Sequence, residues 1–112
     1  MTIVVNVLIP AKIAEATQTT QYTSNGLKTI IDKFTATNYS ASAATISINL
    51  VTRAGTAGNS NLITKTKTLQ PSEVYTFPEL VGQVLNDGDF ISTLAGTATA
   101  INIRSSGRQI SS

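Results

Sequence analysis

The segment ATISINLV (Ala44–Val51) alternates apolar and polar side chains, with Ile46, Ile48 and Leu50 on one side of an extended chain and Ser47 and Asn49 on the other. Successive side chains of a strand point to opposite faces, so a period of two specifies a half-buried β-strand and excludes an amphipathic helix, whose period is about 3.6. TAINIRS repeats the pattern, with Ile101 and Ile103 set against Asn102 and Arg104. FISTL and VYTF are shorter versions. KTIIDKFTATN reads as a longer strand with Ile30, Phe34 and Ala36 facing inward. Strict alternation would also turn Asp32 inward, where a lone carboxylate is costly. It follows that a bulge near Ile31 shifts the phase, or that Asp32 lies at a sheet margin reached by water.

Turn chemistry separates these strands. NYSASAA (Asn38–Ala44), RAGTAGNSN (Arg53–Asn61), QPSE (Gln70–Glu73), NDGD (Asn86–Asp89) and SSG (Ser105–Gly107) carry the Gly, Pro, Asn and Ser that connections need. A spacing of roughly 8 to 15 residues points to an antiparallel sandwich or barrel, and the fold class expected is an all-β, single-domain antiparallel β-sandwich, Ig-like or jelly-roll-like. At most one short helical turn is expected, in TFPELVGQVL, where Thr76 and Glu79 have capping-box spacing and Gly82 opposes a longer helix. The chain of 112 residues fits one domain.

Residues 1–12 stand apart as an N-terminal arm or first strand, with the sandwich domain over 13–112. Ile3 to Ile9 is almost wholly apolar until Pro10 breaks the run. Left in water such a segment is an aggregation hazard, so it must be covered by this chain or by a neighbour. The RAGTAGNSN loop is the longest connection and the expected exposed tip.

Composition excludes several classes of chemistry. With no Cys there are no disulfides, thiolate metal sites or thiol nucleophiles, and with no His the commonest general base is missing. Glu15, Asp32, Glu73 and Glu79 lie on separate segments with no spacing that pairs them. In LNDGDF, Asp87 and Asp89 flank Gly88, but a calcium loop needs about six oxygens or more and no further acid follows, so the stretch reads as a turn. AGTAGNSN lacks the Gly and Lys spacing of a phosphate-wrapping loop. No enzyme activity, cofactor or metal is expected.

Only 12% of residues are charged, against about 25% in typical domains, and the net charge is +2. The arginines are dispersed, Lys65 and Lys67 form the one close basic pair, and Trp is absent, which argues against nucleic acid as a partner. The first dozen residues lack a basic n-region, and no apolar run approaches the roughly 20 residues that span a bilayer, so synthesis in the cytoplasm without a cleaved signal is expected.

Some features occur in a familiar order. A strand closed by Thr37-Asn38 is followed by the GTAG loop (Gly55–Gly58), the LQPSE turn (Leu69–Glu73), the pattern Leu85, Gly88-Asp89, Ile91-Ser92, and a last strand reaching Gly107. From about Gln21 to Ile110 this succession resembles small β-sandwich virion proteins of tailed bacteriophages. Pro71-Ser72-Glu73 stands where that family commonly has Pro-Gly-Glu, a change harmless to a type I turn, and Ile3–Ile9 has no counterpart.

The resemblance implies a structural virion protein, a capsid decoration (cement) protein on the capsid surface, with the major capsid protein and copies of itself as partners. A neck, tail or fibre accessory module that binds another virion protein or a host glycan, through Tyr22, Tyr39 or Tyr75, is the alternative. The candidate interface residues are Ile3, Val4, Val5, Val7, Leu8 and Ile9 of the arm with Thr56, Asn59 and Asn61 of the long loop. Removal of Thr2–Ile9 is then expected to spare the fold and abolish binding.

Overall fold

Among the described residues nine strands form in chain order: β1 (Thr2–Ile13), β2 (Thr19–Thr23), β3 (Lys28–Asn38), β4 (Ala44–Val51), β5 (Leu62–Leu69), β6 (Val74–Tyr75), β7 (Val84–Leu85), β8 (Phe90–Ala95) and β9 (Ile101–Ser111). The computed structural model describes residues 1–111. One sheet runs β1-β9-β3, with β6 and β7 sharing the far edge of β3, and the other runs β2-β8-β4-β5. Every pairing is antiparallel. The two sheets enclose one core, an antiparallel β-sandwich as the alternation requires.

The alternating residues fill that core. Ile46 and Ile48 of β4 and Ile101 and Ile103 of β9 are buried, and Leu50 packs half-buried at the margin. Phe34 and Phe77 meet edge to face at a centroid distance of 4.9 Å, and Tyr75 packs on Phe77 at 4.6 Å. Such contacts add to the area term that drives folding.

The predicted bulge is present. The register between β3 and β9 slips between Ile31 and Lys33, so Asp32 reaches the outer face and pairs with Arg108. One detail differs from the expected phase: Ile31 is the buried residue, whereas Ile30 is half-buried and faces outward, because the phase resets after it.

Three local expectations are corrected. Ser105–Gly107 is not a turn but the middle of β9, where a Cβ on Gly107 would strike the Ile30 carbonyl. Residues 76–83 cross as successive turns, within the expectation of a short helix or turn at most, and one short helical turn lies elsewhere, at Asn59–Asn61. The Glu79 carboxylate, expected in a capping box, accepts instead from Thr64 Oγ1 and from Tyr75 OH, tying this crossing to β5. Finally, Ser72 has φ +66, which a type I turn does not contain, so the position suits glycine better than serine.

Asn38 closes β3 for a visible reason. Its fully buried amide donates to Leu69 O at 2.9 Å and to Ser42 O at 2.8 Å, joining the end of one sheet to the other. Among the described residues no buried side-chain polar atom lacks a partner, and no helix is long and apolar enough to cross a membrane.

Candidate interaction surface

The apolar run at the N-terminus divides into two halves with opposite fates. Leu8 and Ile9 are core residues, Ile9 with no exposure at all, so neither is available to a partner and a deletion through Ile9 would open the sandwich. Met1, Ile3, Val4, Val5 and Val7 are exposed, Val5 to 78%. A bulge after Val7 makes the division, since the register with β9 shifts between Val7 and Ile9 and again before Lys12.

The second half of β1 is guarded. Pro10 lacks a backbone donor and deters a further strand. Lys12 Nζ donates to Glu15 Oε2 at 3.0 Å and to Gln21 Oε1 at 2.7 Å, and Gln21 Nε2 donates to Glu15 Oε1 and to Thr93 Oγ1, both at 2.9 Å. Hydrogen bonds from Gln21 first, and from Lys12 next, hold the Glu15 carboxyl below its ordinary range. This network fastens β1 to β2 and β8.

The first half carries none of these devices. Thr2 to Val7 pairs with Ser111 to Ser106 of β9 on one side, and among the described residues β1 has no strand on its other side. Directly opposed residues share a face, so Val5, Arg108, Ile30 and Val84 form one row across four strands. Ile3 and Ile110 form the next row, which ends at exposed Lys28, and Val7 flanks the first on the other side in a row that runs through Ser106 to exposed Lys33. The result is an outward apolar face.

Its central charges cancel. Arg108 grips Asp32 with Nη2 at 2.8 Å from Oδ1 and Nε at 3.1 Å from both carboxylate oxygens. The hydrogen bonds to Asp32 first, and its charge next, raise the Arg108 pKa above its usual value. The guanidinium stem lies between Val5 and Ile30 in the row, adding methylene surface to the apolar face.

The long loop behaves differently. Asn61 Oδ1 accepts from Asn49 Nδ2 at 2.7 Å and from the Gly58 amide at 3.0 Å, while Asn61 Nδ2 donates to Thr56 O at 2.9 Å. Asn49, only 2% exposed, also donates to Gly58 O, and Gln18 Nε2 donates to its Oδ1 at 3.3 Å. The loop is therefore sewn onto the outer surface of the second sheet, and Asn61 is a fastener. Thr56 and Asn59 remain exposed.

LNDGDF completes the fastening. Asp89 accepts from the Arg53 amide at 3.0 Å and the Asn86 amide at 2.9 Å, and Asp87 accepts from the Gly26 amide at 2.7 Å and Arg53 Nη1 at 3.3 Å. Gly88 takes φ +91, and a Cβ there would lie 2.6 Å from Arg53 side-chain carbons. All four carboxylate oxygens are used to knot three loops together, which is the work of a turn.

The tyrosines share no platform. Tyr22 OH is engaged with Thr29 and Gln109, Tyr75 with Glu79 and beneath Lys67, and only Tyr39 is exposed. Among the described residues no three acidic side chains gather. Comparison of the chain with models of protein families, with curated proteins and with solved structures found no match.

Proposed function

We propose that this chain is a structural, non-catalytic protein that works by adhesion, a capsid decoration protein binding the outside of a bacteriophage head and bridging neighbouring capsid subunits. One observation carries the reading: the centre of the outward face of β1, β9 and β3, with Ile3, Val5, Val7, Ile30, Val84 and Ile110, is apolar, its central ion pair is self-neutralised, Lys28 and Lys33 rim it, and nothing among the described residues covers it. An exposed apolar face rimmed by polar residues is a protein contact site. The order of turns and strands from Gln21 to Ile110, similar to small virion sandwiches, supplies the kind of partner.

Such a protein acts through binding energy alone. Each copy adds interface area that expansion or rupture of the shell must first break, and many weak contacts on a symmetric lattice resist together. The lack of His and Cys, and carboxylates spent on internal hydrogen bonds, support the non-catalytic part of the reading.

Counting copies per purified virion on a stained gel tests the location. Hundreds of copies are expected of a shell protein; a dozen or fewer would move the protein to the neck, tail or fibre and overturn the decoration reading.

A further inference from the structure

The backbone of β1 has a direction that can be traced. Ile31 donates its amide to Gln83 O at 3.0 Å and accepts from Gly82 at 2.7 Å, so its peptide groups face away from β9. Peptide groups alternate along an antiparallel ladder. Those of Lys28 and Ile30 therefore face β9, those of Arg108 and Ile110 face back to them, and those of Gln109 and Ser111 face β1. On β1 this leaves Thr2, Val4 and Asn6 bonded to β9, with the peptide groups of Ile3, Val5 and Val7 directed at the open edge.

One of the three outward donors is already quenched. The Val7 amide donates to Asn6 Oδ1 at 2.9 Å. Ile3 and Val5 keep free amides, and Met1 to Val7 contains neither a charged side chain nor Pro. Unsheltered edges are normally broken by such residues, as this same strand is at Pro10 and Lys12. Along β1 the guard is missing from the first half.

We infer that this half-strand pairs with its counterpart on a second copy of the chain, antiparallel about a two-fold axis through Val4. In that register Ile3 of each copy faces Val5 of the other, and about four backbone hydrogen bonds form between the two free donors and their matching carbonyls. Val4 meets Val4, and the register uses the whole stretch Met1–Val7 without reaching Pro10. Val7, whose donor is quenched, falls opposite Met1 and is not needed. Because the stretch has no charged side chain, and each Met1 end lies opposite Val7 and not opposite its counterpart, self-pairing brings no like charges together, and a two-fold contact is the commonest route to a homo-oligomer.

The inference rests on the reading of β1 as contact surface and names a second copy as the occupant of its edge, leaving the apolar outer face to the shell. The interface is small, so pairing in solution is concentration-dependent, and an array of tethered copies raises the effective concentration.

The chain has no Cys, so single cysteines report contacts cleanly. Opposed residues of non-hydrogen-bonded antiparallel pairs have Cα atoms about 4.5 Å apart, within disulfide reach. Under mild oxidation of the purified protein, Val4→Cys is expected to give a covalent dimer at least tenfold faster than Val5→Cys, whose counterpart is Ile3. Wild-type protein is expected to show a dimer whose fraction rises with concentration in sedimentation velocity, and Val5→Lys to remain monomeric with an unchanged thermal midpoint. A monomer at every concentration, or equal or faster cross-linking of Val5→Cys, would overturn the pairing. Binding of that monomer to heads would show that the decoration reading survives its loss, whereas dimers that ignore heads would do the reverse.

Discussion

Two stretches of this chain look alike as candidates for contact, the apolar N-terminus and the polar loop Arg53–Asn61, yet the fold treats them oppositely. The loop spends its hydrogen-bonding capacity internally, through Asn61, Asn49 and the Arg53 amide. The first half of β1 keeps exposed side chains and free backbone donors. What separates the proposed contact surface from a brace is therefore not polarity or position in a loop, but whether the bonding groups are already satisfied within the molecule.

The comparison can be broken most forcefully inside β1 itself. Ile9→Ala is expected to lower stability by about 2–5 kcal/mol, the range for truncating a buried aliphatic residue, whereas Val5→Lys should change it by less than about 0.5 kcal/mol. Chemical denaturation of both variants checks the pair; similar losses would mean that the strand is not divided at its bulge.

A second contrast concerns the loop. Asn49→Ala removes the donor that Gly58 O and Asn61 share and should destabilise by about 1–3 kcal/mol, since buried partners are left unsatisfied. Thr56→Ala and Asn59→Ala, on the same loop but exposed, should be near neutral. Denaturant midpoints again decide it.

A smaller gain is expected from Ser72→Gly. Left-handed backbone disfavours residues with a Cβ by about 1–2 kcal/mol, so this change should raise the thermal midpoint.

The pH dependence sharpens the picture of the braces. Burial pushes the Glu79 carboxyl up, but the hydrogen bonds from Thr64 and Tyr75 outweigh it and the net shift is downward from 4.5. Glu15 is also lowered from 4.5, by Gln21 and then Lys12. A carboxyl depressed in the folded state contributes stability that is present above the unfolded value and disappears as pH falls through the folded one. Stability should thus decline below about pH 4.5, and the decline should be shallower in Glu79→Gln. An acid limb with the same slope in that variant would remove Glu79 from the account.

Much of the fold is legible from side-chain period. Ile46 and Ile48, and Ile101 and Ile103, declare their strands because one face of each is buried, and the misfit of Asp32 announces the bulge in β3. The direction of the slip is not legible: whether Ile30 or Ile31 turns inward depends on how β9 docks, which is a tertiary matter. Ser105–Gly107 misleads because its composition is that of a turn, while the requirement met by Gly107 is close approach of the Ile30 carbonyl.

The candidate surface is half legible. Ile3–Ile9 is apolar throughout, so no period marks where exposure ends; the bulge after Val7 does so only once β9 is in place. Asn61 could not be distinguished from a free contact residue, because its partners Asn49 and Gly58 are brought to it by folding. The apolar row through Val5, Ile30 and Val84 joins three distant segments, and no local motif reports it.

The most direct measurement is co-sedimentation of labelled variants with phage heads assembled without this protein. Ile3→Lys combined with Val5→Lys should lose binding at least tenfold while Thr56→Ala combined with Asn59→Ala binds as wild type. Retained binding by the first variant, with loss by the second, would contradict the assignment of contact to β1 and return it to the loop.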